Sequence, residues 1–186
     1  MEYTWANNLN FELARLNRFI EEVYMNSVLV VYFSKTGNVK LLAKKTAEML
    51  GADIEELIDQ SKWTNIDGFF RRARRSIIKG DTVLDAVKYN PKDYEKILVL
   101  SPYWGSNICP AIRTYLKQNK DYIRELSLVM LGAFTTDPGK VKKEVESMGF
   151  KLNGLLSLLD KGQTGKETGE LQGDNLFKLS EFVEQI

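Results

Sequence analysis

Four short apolar runs, rich in valine and leucine, stand out along the chain. They are SVLVVYF at 27–33, KILVLS at 96–101, LSLVMLGAF at 126–134 and FKLNGLLSLL at 150–159. Continuous apolar runs of this length are typical of strands that are buried on both faces of a parallel sheet. The more polar run ADIEELI at 52–58 predicts a fifth strand, nearer an edge of the same sheet.

Segments with the spacing of amphipathic helices lie between these strands. Gly51 is placed to end the first of them as a C-cap, and prolines open two others at the first turn, where the missing N–H has no cost. The predicted helices are Val39 to Leu50, 68–80, Pro110 to about Lys117, Pro138 to Met148 and Asp174 to Gln185, with a short helical turn at 82–87. Residues 1–26 predict a separate amphipathic helix ahead of the first strand.

The order of these elements predicts the fold class. From residue 27 onward, strand and helix alternate five times, which indicates a parallel sheet covered by helices on both faces. Right-handed crossovers leave few arrangements, of which the strand order 2-1-3-4-5 is common at this size. We therefore expect an α/β chain: a three-layer, doubly wound, five-stranded parallel sheet at 27–186, with an extra N-terminal helix at 1–26.

Composition narrows the chemistry that this fold could perform. Among 186 residues there is no histidine and one cysteine, Cys109, and the net charge is +1. These counts exclude Ser-His-Asp catalysis, histidine-ligated zinc, cysteine-cluster metal sites and an internal disulfide, and we expect no metal. No run is apolar enough for a membrane span or a signal peptide, so we expect a cytoplasmic protein, and the balanced charge argues against nucleic acid.

The loop after the first strand is the first candidate for binding chemistry. In such sheets, ligands bind beyond the carboxyl ends of the strands, where the first and third strands diverge. The loop SKTGNVK at 34–40 holds two hydroxyls, a glycine and an asparagine at the start of a helix. A helix N-terminus offers unpaired N–H groups and partial positive charge to a phosphate. The loop has neither Walker A nor G-x-G-x-x-G spacing, and ordinary N-capping is the alternative.

Two further loops end at the same edge of the predicted sheet. The loop SPYWGSN at 101–107 places Tyr103 and Trp104 where a loop should be polar, beside Gly105. The two aromatic residues either cap the core or stack on a planar ligand. The loop GAFTT at 132–136 offers small residues, one ring and two hydroxyls, and is a weak signal alone. The three loops together, however, match one pattern.

Residues 27–186 resemble the flavodoxin-like FMN-binding proteins. SKTGN at 34–38 is similar to their phosphate loop, PYWGSN at 102–107 followed by CPAIRTYL is similar to their second flavin loop, and GAFTT is similar to the third. Val39 departs from the pattern, which usually has threonine there, so one phosphate hydroxyl is missing. The resemblance implies FMN as cofactor, bound by Ser34, Lys35, Thr36, Gly37, Asn38, Val39, Pro102, Tyr103, Trp104, Gly105, Ser106, Phe134, Thr135 and Thr136.

The resemblance also implies a role for each loop. The phosphate would lie on 34–38 and the flavin ring beside Tyr103, Trp104 and Gly105, whose carbonyl can turn toward the flavin N5. The pyrimidine edge of the ring would lie near 134–136. A dianionic phosphate on a helix end and an apolar ring between aromatics agree with elementary physics. The cofactor would supply the redox chemistry that a chain without histidine lacks.

The charge distribution departs from that of electron-shuttle flavodoxins, which are strongly acidic. Between Lys62 and Lys96 this chain has nine basic and five acidic residues. The stretch 101–120 contains no carboxylate and carries Arg113, Lys117 and Lys120. An acidic rim around the flavin would repel an anionic reduced flavin. A rim without carboxylates would tolerate that anion better.

A second departure concerns the outer face of the flavin. Shuttle flavodoxins place a covering tyrosine after the third loop, whereas TTDPGKVKK at 135–143 has no aromatic residue. One face of the ring could therefore admit a second substrate. Both departures favour an FMN-dependent oxidoreductase that works between NAD(P)H and a quinone or similar acceptor. A one-electron carrier and a flavin-free interaction module on the same fold remain alternatives.

Three local features keep two interpretations each. The arginines at 71–75 form either a solvated helix face or a clamp for the phosphate of NAD(P)H or an acidic partner. Cys109 has either a structural role or, just before Pro110 at a helix start, a lowered thiol pKa. The helix at 1–26 either packs on its own domain or serves as a dimer arm, because its apolar stripe must be buried.

Overall fold

The computed structural model describes residue 15 and residues 28–60, 80–132, 137–160 and 173–186. In chain order its elements are β1 (Val28–Tyr32), α1 (Asn38–Leu50), β2 (Asp53–Glu56), a 3₁₀ turn (Pro91–Asp93), β3 (Lys96–Trp104), β4 (Asn107–Ile108), α2 (Pro110–Gln118), β5 (Glu125–Gly132), α3 (Pro138–Ser147), β6 (Leu152–Leu159) and α4 (Asp174–Val183). The five predicted strands and the four predicted helices that fall in these ranges are all present. Gly51 ends α1 in the left-handed conformation, with φ at 61°, as expected of a C-cap.

The sheet has the predicted parallel order. Its strands run β2-β1-β3-β5-β6, and β4 pairs with the end of β3 outside this path. Val30 lies opposite Leu98 between β1 and β3, and Val99 lies opposite Leu128 between β3 and β5. The order 2-1-3-4-5 is therefore confirmed once the two-residue antiparallel β4 is set apart.

Helices cover both faces of the sheet. Alternate residues of each strand face opposite sides, so Val31 and Val99 lie on one face and Val30 and Leu98 on the other. On the first face they pack against α2 and α3, and on the second against α1 and α4. The three-layer α/β architecture is confirmed for the described residues.

Residues 82–87 are not helical, contrary to expectation. Asp59 and Leu84 form an antiparallel bridge, Gln60 N–H donates to the Val83 carbonyl at 3.0 Å, and Asp85 N–H donates to the Ile58 carbonyl at 3.0 Å. The segment is extended because its backbone groups pair with the chain that follows β2. The sequence pattern missed this pairing, since it joins residues about 25 positions apart.

Two predicted elements lie outside the described residues. These are the N-terminal helix at 1–26 apart from residue 15 and the arginine-rich helix at 68–80 apart from residue 80. The division into 1–26 and 27–186 stays a prediction. In the part of the chain that is described, no helix has the length and apolar character needed to cross a membrane.

Gly154 lies beside an irregularity in the last strand. The register between β5 and β6 shifts there: Leu126 pairs with Leu152, but Ser127 pairs with Gly154. Asn153 is thus the extra residue of a bulge. A Cβ atom on Gly154 would lie 2.8 Å from the ring of Phe182, so glycine lets α4 pack closely on the edge strand.

Tyr115 carries a buried hydroxyl that leads to a stability prediction. The side chain is 0% exposed, and its hydroxyl has no hydrogen-bond partner among the described residues. Burial also raises the pKa of Tyr115 far above its ordinary value. Because an unsatisfied buried polar group costs free energy, Tyr115→Phe should raise the free energy of unfolding by about 1 kcal/mol, measured by urea denaturation.

Tyr94→Phe is the matched control. The Tyr94 hydroxyl donates to Asp53 at 2.8 Å, so its removal should lower the free energy of unfolding by about 1 kcal/mol. Loss of stability in both variants would contradict the unsatisfied state of the Tyr115 hydroxyl.

Candidate functional site at the carboxyl edge of the sheet

The loop between β1 and α1 leaves the N-terminus of the helix uncapped by side chains. Gly37 is the N-cap residue with φ at 93°, and no side chain accepts a cap hydrogen bond from the first turn. The Gly37 N–H itself donates to Ser34 Oγ at 3.2 Å. The first turn contains no carboxylate. Its N–H groups and the positive end of the helix dipole are therefore suited to an anion.

The loop residues differ in what they can present to a ligand. Lys35 and Thr36 are exposed, Ser34, Gly37 and Asn38 are half-buried, and Val39 is only 4% exposed. A Cβ atom on Gly37 would meet no atom of the described residues within 4 Å, so the space beside this glycine is open toward that part of the chain. The Val39 side chain packs in the core with α1, which leaves only its backbone to serve a ligand.

Lys40 in the first turn of α1 is held by the neighbouring strand. Its ammonium lies 2.7 Å from Glu56 at the end of β2. Burial acts to raise the pKa of Glu56, but hydrogen bonds from Lys40 and Tyr32 outweigh it and lower that pKa. The positive charge of Lys40 is thus partly neutralised by a carboxylate on the β2 side of the helix.

The Asn38 side chain makes a contact that the sequence did not suggest. Its amide nitrogen donates to the carboxylate of Asp160, the residue that follows β6. Its amide oxygen, Oδ1, is buried and has no hydrogen-bond partner among the described residues. Asn38 therefore lies in the predicted phosphate loop, but one of its two side-chain N–H groups is already used by a carboxylate.

The second predicted loop is a tight β-hairpin. Tyr103 pairs with Ile108 and Trp104 with Asn107 across β3 and β4. Gly105 and Ser106 form the turn with φ at 60° and 62°, as a two-residue type I′ turn requires. The Gly105 carbonyl accepts a bond from the Asn107 amide at 2.9 Å and lies 3.4 Å from the Lys140 ammonium. Pro102 lies on β3 just before this hairpin.

Tyr103 and Trp104 diverge across the sheet. The Trp104 ring packs edge to face on Phe33 with centroids 5.7 Å apart, toward β1. The Tyr103 hydroxyl shares a hydrogen bond with Ser157 on β6, and burial raises the pKa of Tyr103. Since Phe33 is followed directly by the 34–38 loop, the Phe33–Trp104 contact brings the first two predicted loops together.

The third predicted loop lies mostly outside the described residues. Phe134, Thr135 and Thr136 fall in the gap at 133–136. On either side of the gap, the Gly132 carbonyl accepts the Asp160 N–H at 2.7 Å, and the Asp137 carboxylate caps α3 by accepting the Lys140 N–H at 2.9 Å. Both ends of this loop are thus fixed at the edge that carries the other two.

Arg113 does not contribute charge to the rim, contrary to expectation. Its side chain is 1% exposed and pairs with Glu144 of α3, with nitrogen-to-oxygen distances of 2.7 and 2.9 Å. Its other bonds reach the carbonyls of Gly80 and Ile108. Lys117 pairs with Asp81 at 2.8 Å. Two of the three basic residues of this stretch are therefore neutralised by partners from elsewhere in the chain.

Glu144 is a buried partner of this region that the sequence did not single out. Besides holding Arg113, it accepts the backbone N–H of Ile108 in β4 at 3.2 Å, so it ties α3 and α2 to the hairpin. A signal was present in the sequence, since Arg113 lies between the apolar pairs Ala111–Ile112 and Tyr115–Leu116 of α2, and a buried charge requires a partner. The sequence pattern did not show that this partner is Glu144, because it lies 31 residues further along the chain.

Cys109 is a buried free thiol just before α2. It is 0% exposed, lies 3.6 Å from Ser101 Oγ, and burial raises the pKa of its thiol to about 11. The helix start does not compensate for this desolvation. The structural interpretation of Cys109 is therefore favoured over a reactive thiol.

A cleft of about 210 Å³ lies at the opposite edge of the sheet. It is formed by the amino ends of the strands, including Val28, Lys96 and Glu125. None of the predicted ligand residues lines it, and ligands of doubly wound sheets bind at the other edge. The loops at the carboxyl edge therefore remain the candidate site.

Comparison with solved structures identifies the fold. A flavoprotein from Lactobacillus acidophilus NCFM in complex with FMN is 23% identical with a TM-score of 0.57, over 77% of this chain and 99% of that chain. A WrbA-like flavodoxin from Agrobacterium tumefaciens is 10% identical with a TM-score of 0.52, over 87% of this chain and 94% of that chain. No protein-family model and no curated protein sequence matches. The chain has the flavodoxin-like fold.

Proposed function

We propose that the chain binds FMN at the carboxyl edge of the sheet and acts as an FMN-dependent oxidoreductase between NAD(P)H and a quinone or similar acceptor. The observation that carries the proposal is one juxtaposition. The uncapped N-terminus of α1 follows directly on Phe33, and Phe33 packs against Trp104 of the hairpin. An anion site and a partly exposed aromatic surface thus lie side by side, as a ligand with one phosphate and one planar ring requires.

The phosphate end of the proposed site fits mainly through backbone groups. The first-turn N–H groups of α1, the open space at Gly37 and the exposed Thr36 hydroxyl all suit a phosphate. The Asn38 side chain fits less well, since one of its two amide N–H groups is given to Asp160. The described residues therefore fit a phosphate monoester, with one side-chain N–H fewer than the resemblance implies.

The ring end of the proposed site is formed by the hairpin. Trp104 offers the partly buried aromatic face, and the Gly105–Ser106 turn offers backbone groups in a fixed conformation. The roles proposed for Phe134, Thr135 and Thr136 rest on the resemblance alone. FMN would supply electron or hydride transfer when bound, and the chain would orient it and limit its contact with water.

The choice between an enzyme and an electron carrier depends on the charges around the hairpin. Lys140 lies beside the Gly105 carbonyl, so a positive charge borders the place proposed for the ring. A neighbouring cation favours an anionic reduced flavin, which suits two-electron exchange with a nicotinamide better than shuttling of single electrons. We place this activity in the cytoplasm, where nicotinamide donors and a reduced thiol such as Cys109 are expected.

The test is a flavin titration followed by a turnover assay. Apo protein is titrated with FMN, FAD and riboflavin while flavin fluorescence is followed, and NADH or NADPH oxidation is then measured with a quinone. The proposal expects stoichiometric FMN binding and turnover with the quinone. FMN binding without turnover would indicate a carrier, and no flavin binding by folded protein would indicate an interaction module.

A further inference from the structure

A carboxylate lies at the phosphate end of the proposed site. Asp160 directly follows β6, and its backbone N–H donates to the Gly132 carbonyl at 2.7 Å, which fixes it at the carboxyl edge beside β5. Its side chain accepts the amide N–H of Asn38, the first residue of α1. A negative charge from a distant part of the chain therefore borders the helix end that faces the proposed phosphate.

This carboxylate and a phosphate would compete for the same features of α1. The helix has no acidic residue in its first turn, so Asp160 lies at a positive helix end that no side chain of the described residues caps. It also directs the Asn38 amide so that the buried Oδ1 is left without a partner among the described residues. A phosphate dianion only accepts hydrogen bonds, and Oδ1 cannot donate one, so of the two amide N–H groups at most the one that Asp160 does not use remains for a phosphate.

We propose that Asp160 is a specificity-determining residue of the flavin site: its carboxylate engages the Asn38 amide and opposes the phosphate that the helix end attracts, so the preference for FMN over riboflavin is smaller than the helix end alone would give. The inference rests on the proposed flavin binding. Its physical basis is repulsion between two anions in a half-buried setting, where water screens charges incompletely. Riboflavin has no phosphate and does not experience this repulsion.

The experiment compares two flavins on two proteins. In Asp160→Asn, a neutral amide of nearly the same size replaces the carboxylate, its carbonyl oxygen can still accept from Asn38, and the backbone bond to Gly132 is kept. We expect the FMN dissociation constant to fall about tenfold, and the riboflavin constant to stay within about twofold of the wild type. The gain for FMN should shrink as NaCl is raised from about 0.05 to 0.5 M, because salt screens the repulsion.

Glu48→Gln is the matched charge control. Glu48 lies in the last turn of the same helix, exposed and paired with Lys45 at 3.1 Å. This change should leave the preference for FMN over riboflavin unaltered. Asp160→Ser provides a second neutral variant, and the circular dichroism of each apo protein confirms that it is folded.

The outcomes separate this inference from the proposed function. If the ratio of FMN affinity to riboflavin affinity is unchanged or lowered in both Asp160 variants, the role of Asp160 is overturned while flavin binding stands. Failure of folded wild-type protein and folded variants to bind either flavin overturns the proposed function, and the role of Asp160 with it. A selective gain for FMN supports both.

Discussion

Glu144→Ala should lower the free energy of unfolding by about 3–5 kcal/mol. Glu144 is 2% exposed and provides the only carboxylate that contacts Arg113 among the described residues. Its removal would leave the Arg113 guanidinium charged, buried and without a counter-ion, and would also orphan the Ile108 N–H. The measurement is urea denaturation followed by circular dichroism at neutral pH.

Two controls separate this effect from a general loss of charge. Asp81→Ala breaks the exposed Lys117–Asp81 pair and should cost less than about 1 kcal/mol. The double variant Arg113→Met/Glu144→Leu removes both charges and should be more stable than Glu144→Ala alone, since apolar residues can replace a buried pair. A cost below about 1 kcal/mol for Glu144→Ala would show that water reaches Arg113.

Trp104→Ala should weaken FMN binding by about 1–3 kcal/mol, or roughly 5- to 150-fold. The expected loss comes from ring stacking and apolar burial at the hairpin. The same change should destabilise the apo protein by about 1 kcal/mol, because the edge-to-face contact with Phe33 is lost as well. Flavin fluorescence titration gives the first quantity, and denaturation of the apo protein gives the second.

Tyr103→Phe is the control for the Trp104 prediction. It removes only the hydrogen bond to Ser157, which lies toward β6 whereas Phe33 lies toward β1, and it should change FMN affinity by less than about 1 kcal/mol. If Trp104→Ala destabilised the apo protein and left FMN affinity unchanged, Trp104 would be a core residue with no cofactor contact.

The electrostatics of the site show where sequence reasoning reaches its limit. The stretch 101–120 contains three basic residues and no carboxylate, which predicts a basic rim. In the folded chain, Arg113 and Lys117 face carboxylates supplied by α3 and by the segment before β3. Local charge counts failed here because a charge is neutralised by its neighbours in space. Those neighbours are about 30 or more residues away in sequence.

The sequence by itself determined the fold of the described residues. Short apolar strands in alternation with amphipathic helices permit few parallel arrangements, because each strand must be buried on both faces and each crossover is right-handed. The same pattern places the loops after β1, β3 and β5 at one edge, and the structure joins the first two through Phe33 and Trp104. Periodicity suffices for these conclusions because it records which face of each element is buried.

Only the tertiary structure decided which polar contacts the side chains around the site make. The Asn38–Asp160 contact spans 122 residues, the Arg113–Glu144 pair spans 31, and the Asp59–Leu84 bridge replaces a predicted helical turn. Single polar contacts of this kind leave no periodic trace, since one hydrogen bond between distant residues imposes no repeating pattern on either segment. Which donors at the edge are free for a ligand, and which are already used by the chain, follows from the packing of the elements around them.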